Sequence, residues 1–142
     1  MDEKENFPVL LVDDSQHDVL FIERAWQENG IKNPLLTVAN GQECLDYLRS
    51  SAQDLPRPGL ILLDIQMPIM DGIECLAHIR ADEKLKTIPV VMLTNSRREE
   101  ELIKTYNIGC NSYIQKPMTF SGLVNIVRII HEFWACSRQP AH

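Results

Sequence analysis

The chain has 142 residues, 44% apolar and 24% charged, with 14 basic against 20 acidic side chains and a net charge of −6. That length fits one domain with a sizeable core, and that composition belongs to a folded soluble protein rather than a disordered one. The acidic balance argues against nucleic acid, and no apolar stretch approaches the roughly 20 residues that cross a bilayer.

The start, Met1-Asp2-Glu3-Lys4-Glu5, is acidic and polar and does not read as a signal peptide. Val9-Leu10-Leu11-Val12 then predicts a first strand, ending on Asp13-Asp14. Short apolar runs bounded by turn signals mark strands buried on both faces. Ser15, with Asp18 three residues on, has the spacing of a capping box. Val19, Ile22, Trp26 and Asn29 recur at helical intervals up to the stop signal Asn29-Gly30. Leu35–Ala39 predicts a second strand, and Asn40-Gly41 the turn into a helix carrying Cys44, Leu45 and Leu48.

Ser50–Gly59, with its two prolines, is the longest expected loop. Leu60-Ile61-Leu62-Leu63 predicts a third strand, ending on Asp64. Met67-Pro68 and Asp71-Gly72 break the backbone before a helix with Ile73, Leu76 and Ile79 on one face. Pro89 opens a fourth strand, Val90-Val91-Met92-Leu93, ending on Thr94. Ser96 with Glu99 predicts a second capping box and a helix bearing Leu102, Ile103 and Tyr106. Ser112–Gln115 is a weaker fifth strand that runs into Lys116-Pro117, and the last helix extends from Thr119 to about Cys136. Five strands alternating with five helices predict a single α/β domain over 1–142, its parallel sheet covered by helices on both faces.

In an open parallel sheet the ligand site lies beyond the carboxyl ends of the strands, where the strand order reverses. Asp13, Asp14, Asp64, Thr94 and Lys116 each follow a strand, so three carboxylates, a hydroxyl and an ammonium are expected on one rim. Mg²⁺ takes oxygen ligands, one or two carboxylates among them, together with a phosphate. Crowded carboxylates without a cation would raise at least one pKa, so the cluster implies either a divalent ion or an acid kept protonated. A carboxylate can also act as a nucleophile and form an acyl phosphate, and Asp64, alone at the end of its strand, is best placed for this. Lys116 supplies a point charge and Thr94 a donor for phosphoryl oxygens.

The ordered set Asp13-Asp14-Ser15, Asp64 with Met67-Pro68-Ile69-Met70-Asp71-Gly72, Thr94 and Lys116-Pro117 resembles the receiver domains of two-component response regulators, the single-domain chemotaxis type in particular. The resemblance covers about residues 7 to 136. It implies a flavodoxin-like, doubly wound sheet of order 2-1-3-4-5. It implies that Asp64 accepts a phosphoryl group from the histidine of a sensor kinase. Asp14 and Asp64 would bind Mg²⁺, helped by Asp13 through water and by the backbone carbonyl of Gln66. Thr94 and Lys116 would grip the phosphoryl oxygens, and Tyr113, three residues before Lys116, matches an aromatic switch position. The loop Ser50–Gly59, with Pro56-Arg57-Pro58, and the late Phe133-Trp134 resemble the stand-alone regulators paired with bacterial phytochrome kinases.

On the last helix, Phe120, Leu123, Val124, Val127, Ile130 and Trp134 fall on one arc that should face the sheet. Ile126, Ile129 and Phe133 fall on an adjoining arc, a surplus that marks a partner or homodimer face. In receiver domains self-association uses the fourth helix, fifth strand and fifth helix. With only about six residues after the last helix, either output goes through protein contact or the chain is an intermediate in a phosphorelay.

Other chemistries fare less well. A phosphatase with an aspartyl intermediate needs a second acid two residues after the nucleophile, and Gln66 stands there, so turnover of external substrates is not expected. A nucleotide or flavin binder needs a Gly-rich loop where this chain has Asp13-Asp14-Ser15-Gln16. Cys44, Cys75, Cys110 and Cys136 form no C-x-x-C pair and suit a reducing cytoplasm. The four histidines, His17, His78, His131 and His142, have no ligand spacing, although His17 lies close behind the acidic pair.

Overall fold

The structure, a computed structural model, describes residues 7–50 and 56–136, with side chains through Trp134. The acidic start, the middle of the Ser50–Gly59 loop, the Cys136 side chain and His142 lie outside the described residues.

Ten elements alternate along the chain. They are β1 (Val9–Val12), α1 (Gln16–Glu28), β2 (Leu35–Val38), α2 (Gly41–Arg49), β3 (Leu60–Leu63), α3 (Gly72–Ala81), β4 (Val90–Thr94), α4 (Glu99–Ile108), β5 (Ser112–Gln115) and α5 (Phe120–Cys136). All strand pairs are parallel, in the order β2-β1-β3-β4-β5, as the resemblance implies. Successive strand side chains point to opposite faces. Leu10, Val12, Ile61, Leu63, Val90 and Met92 therefore pack on Cys44, Leu45, Cys75, Leu76 and Ile79 of α2 and α3. Val9, Leu11, Leu60, Leu62, Val91 and Leu93 pack on Ile22, Ala25 and Trp26 of α1 and on Leu123, Val127 and Ile130 of α5. The edge strands β2 and β5 are only half-buried, which explains their weaker apolar signal. No helix among the described residues is long and apolar enough to cross a membrane.

Three local expectations need correction. Ser15 does cap α1, its hydroxyl accepting from the Asp18 backbone N–H at 3.2 Å. The Asp18 carboxylate does not return to the Ser15 backbone, whose N–H goes instead to Asp13 Oδ1 at 3.0 Å. The second capping box is absent. Helix α4 is capped by Arg98 without a side-chain hydrogen bond, and the Ser96 hydroxyl donates to Glu101, not Glu99. The α4 residues at helical spacing also face outward more than expected. Ile103 and Tyr106 are exposed, and Thr105 is the buried residue of that helix.

On α5 the inward arc is shifted from the prediction: Ile126, expected on the surplus arc, packs against the core, and Phe120, expected inside, is exposed. Leu123, Val127 and Ile130 are buried and Val124, Ile126 and Trp134 half-buried, while Phe120, Ile129 and Phe133 are exposed. Phe120 leaves the sheet to meet Phe21 of α1 edge-on at 5.9 Å.

Candidate functional site

The carboxyl ends of β1, β3, β4 and β5 converge where the order reverses between β1 and β3. Val12 stands opposite Leu63 in the ladder, so the residues that follow, Asp13 and Asp64, leave the sheet side by side. Ligand oxygens of Asp13, Asp14 and Asp64 lie within 4.8 Å of one another. Asp13 and Asp64 are buried and Asp14 is exposed, so the cluster opens to solvent on one side.

Lys116 reaches this cluster from the end of β5. Its Nζ donates to Asp13 Oδ2 at 2.7 Å, to Asp18 Oδ2 at 2.8 Å and to Asp64 Oδ2 at 3.1 Å, with 6% of the side chain exposed. All three ammonium protons are thus engaged. Burial alone would depress the lysine pKa. The charge of Asp64 and the bonds to Asp13 and Asp18 reverse that and hold it well above the ordinary value. At Asp13 burial outweighs the bond and charge of the lysine, and Asp64 adds a smaller repulsion, so its pKa rises. Burial also acts to raise Asp18, but the bond to Lys116 and its charge, aided by His17, hold that carboxyl below its usual range.

The loops around the cluster are set by close backbone packing. Asp64 Oδ1 accepts from the Ile65 backbone N–H at 2.7 Å, which fixes its carboxylate plane. A Cβ on Gly72 would lie 1.9 Å from the Asp64 carbonyl oxygen, so only glycine lets α3 start this close to β3. Gly41 is similarly enclosed by Met70, and its N–H donates to the Met70 carbonyl at 3.0 Å. Between them Ile69 takes φ 70, spanned by a Met70 N–H to Pro68 carbonyl bond of 2.7 Å. A β-branched residue is strained there, at a cost of about 1–2 kcal/mol.

On the other side Thr94 is buried, and its Oγ1 accepts from the Ser96 backbone N–H at 3.2 Å. The Lys116 N–H donates to the Thr94 carbonyl at 2.8 Å, which ties the two strand ends together. Tyr113 is half-buried against the α2–α3 side of the core, and its hydroxyl donates to the Ser96 carbonyl at 3.3 Å. Gln66 is exposed in the loop after β3.

All the anticipated residues thus lie at or beside one rim, and one further residue joins them. The sequence pattern marks Asp18 only as a partner in a helix cap. Its one available signal was an acid on the first turn of the helix that follows Asp14.

As to metal, the donor set fits a hard divalent cation. Three carboxylates converge on one rim, open to solvent at Asp14, and this is the oxygen donor set that such an ion takes.

Comparison with known proteins agrees with this geometry. The family model described as "Response regulator receiver domain" matches residues 9–128. The chain is 36% identical over 137 residues to the probable methanogenesis regulatory protein FilR2 of Methanothrix harundinacea, covering 94% of this chain and 87% of that one. It is 35% identical over 138 residues to the response regulator Rcp1 of Synechocystis, covering 94% of each. Among solved structures it resembles the phosphorylated cyanobacterial phytochrome response regulator RcpA, with TM-score 0.88 and 37% identity over 96% of this chain and 99% of that one. It also resembles the Mn²⁺-bound form of Rcp1, with TM-score 0.85 and 34% identity over 95% of this chain and 99% of that one. The strand order, the acidic rim at the β1–β3 junction and these matches lead to one conclusion, that the chain belongs to the receiver domain family of two-component response regulators.

Proposed function

We propose that the chain is a response regulator, with a single receiver domain over 1–142, whose Asp64 accepts a phosphoryl group from a sensor-kinase histidine. The observation that carries this reading is the convergence of the Asp13, Asp14 and Asp64 carboxylates under the Lys116 ammonium. A carboxylate oxygen of Asp64 attacks phosphorus and the P–N bond of the phosphohistidine breaks. The bonding pair leaves with the imidazole nitrogen, giving an acyl phosphate. Such transfer is mainly a matter of position and electrostatics, since charge spreads over the equatorial oxygens. Lys116 meets that charge, and Thr94 exchanges its contact with the Ser96 N–H for a phosphoryl oxygen. Mg²⁺ held by Asp13, Asp14, Asp64 and the Gln66 carbonyl would supply further positive charge.

Movement of Thr94 disturbs the Ser96 loop, to which the Tyr113 hydroxyl is bonded, so Tyr113 is the switch residue. The altered surface is that of α4, β5 and α5, where Ile103, Tyr106, Ile129 and Phe133 are exposed. We assign this face to homodimer or partner contact. The likeness to the cyanobacterial phytochrome response regulator RcpA supports a bacterial phytochrome as the kinase, and we place the chain with it in the cytoplasm. With Gln66 where an acid would be needed, the protein turns over no external substrate.

Intact-mass spectrometry after incubation with acetyl phosphate and Mg²⁺ tests the reading. One base-labile phosphoryl adduct is expected, lost in Asp64→Asn and without metal. An unmodified wild type, or equal labelling of Asp64→Asn, would overturn it.

A further inference from the structure

We infer that Asp18 is a positioning residue for phosphoryl transfer, anchoring the Lys116 ammonium at the rim so that Asp13 and Asp64 are free to face cation and phosphoryl group. The inference rests on the phosphoacceptor reading of Asp64.

Of the three carboxylates bonded to Lys116, Asp13 and Asp64 belong to the metal-ligating cluster with Asp14, and Asp18 does not. A divalent ion in that cluster draws on the two carboxylates that the ammonium now shares, and it also repels the ammonium. Asp18 is the partner left to hold it. The anchor is built to stay in place, because the Ser15 cap fixes the Asp18 backbone at the start of α1. Its Oδ2 faces Lys116, while its Oδ1 is 3.7 Å from His17 Nδ1 on the solvent side. The lysine also has somewhere else to go. A cavity of about 50 Å³ adjoins it, with Asp18 and Asn95 as its polar side and Phe21, Ile22, Pro117 and Leu123 as its apolar wall. Without the carboxylate, an ammonium pushed by a metal ion can withdraw into that space and leave the phosphoryl oxygens.

Binding of Mg²⁺ alone, and of beryllofluoride at saturating Mg²⁺ as a phosphoryl mimic, separates the two roles by calorimetry. Asp18→Asn should weaken beryllofluoride about tenfold while moving Mg²⁺ affinity less than about twofold. Asp18→Glu, which keeps the charge and has the cavity to accommodate a methylene, should restore most of the loss. In a Lys116→Ala background, Asp18→Asn should have no further effect, because the anchor acts only through the lysine. Equal losses in both backgrounds, a parallel loss of Mg²⁺, or tighter beryllofluoride binding by Asp18→Asn would overturn the inference. A wild type that binds no beryllofluoride, or an Asp64→Asn variant that binds it equally, would sink the phosphoacceptor reading and this inference together. Normal wild-type binding with an unaffected Asp18→Asn variant would sink the anchor alone.

Discussion

Replacing Gly72 by alanine puts a methyl group where backbone already stands. The new Cβ would lie 1.9 Å from the Asp64 carbonyl oxygen and 2.9 Å from Ile65 Cα. A carbon–oxygen contact needs about 3.3 Å, so the start of α3 and the end of β3 must part by about 1.4 Å. Neither end yields easily. The Gly72 N–H is bonded to the Ile65 carbonyl at 2.8 Å, and the Asp64 N–H to the Val12 carbonyl at 3.0 Å. Overpacking of a fixed interior costs about 1–3 kcal/mol, and weakening the Gly72–Ile65 bond adds about 1 kcal/mol. The helical advantage of alanine over glycine offsets up to about 1 kcal/mol. The net loss of about 1–4 kcal/mol lowers Tm by about 3–13 °C in a domain of this size. Urea unfolding and calorimetry measure it, and Mn²⁺ or Mg²⁺ titration should show weakened binding as Asp64 is displaced. A variant within about 0.5 kcal/mol of wild type at unchanged m-value would refute the claim that this contact fixes the site.

Ile69→Asn should stabilise the fold by about 1 kcal/mol in urea, since asparagine tolerates the φ of 70 that strains isoleucine and little packing is lost from an exposed side chain. A net loss would show that the isoleucine is held by more than backbone geometry. Burial keeps the His131 imidazole below its ordinary pKa, against the pull of Glu132, so the folded state resists a proton that the unfolded chain accepts. Stability therefore falls as pH drops below about 6.5 and stops falling below the folded-state value; His131→Gln should lessen the slope of the urea midpoint between about pH 7 and pH 5. Cys44 is fully buried, and its contact with the Cys75 thiol, together with burial, pushes its pKa far up. Iodoacetamide should label neither cysteine until urea unfolds the chain, as peptide mass mapping would reveal; labelling of the native protein at a free-thiol rate would contradict the packing.

Much of the fold was legible because β1, β3 and β4 are buried on both faces and so are written as continuous apolar runs. Site residues that directly follow those strands were legible for the same reason, since strand ends locate the rim. What escaped depended on contacts between distant segments. Asp18 follows Ser15 at cap spacing, and only the approach of Lys116, 98 residues later, turns its carboxylate toward the site. Ser96 and Glu99 have capping spacing too, but the loop after β4 carries the Tyr113 and Thr94 contacts and delays the helix start to Glu99. On α5 the pattern gave the arc but not its edges, because α1 packs against the helix and takes Phe120 toward Phe21.

The ion pair between Lys116 and Asp13 joins residues 103 positions apart, one after the first strand and one after the last. During synthesis the chain emerges amino end first. Its acidic residues are therefore exposed well before the lysine that completes their pocket, and β5 must dock on β4 before that lysine can reach them. Completion of the pocket is then a late event in folding, and so, on the proposed phosphoacceptor reading, is competence to receive a phosphoryl group. A truncated product lacking Lys116 would keep the Asp13 and Asp64 carboxylates without the ammonium that joins them.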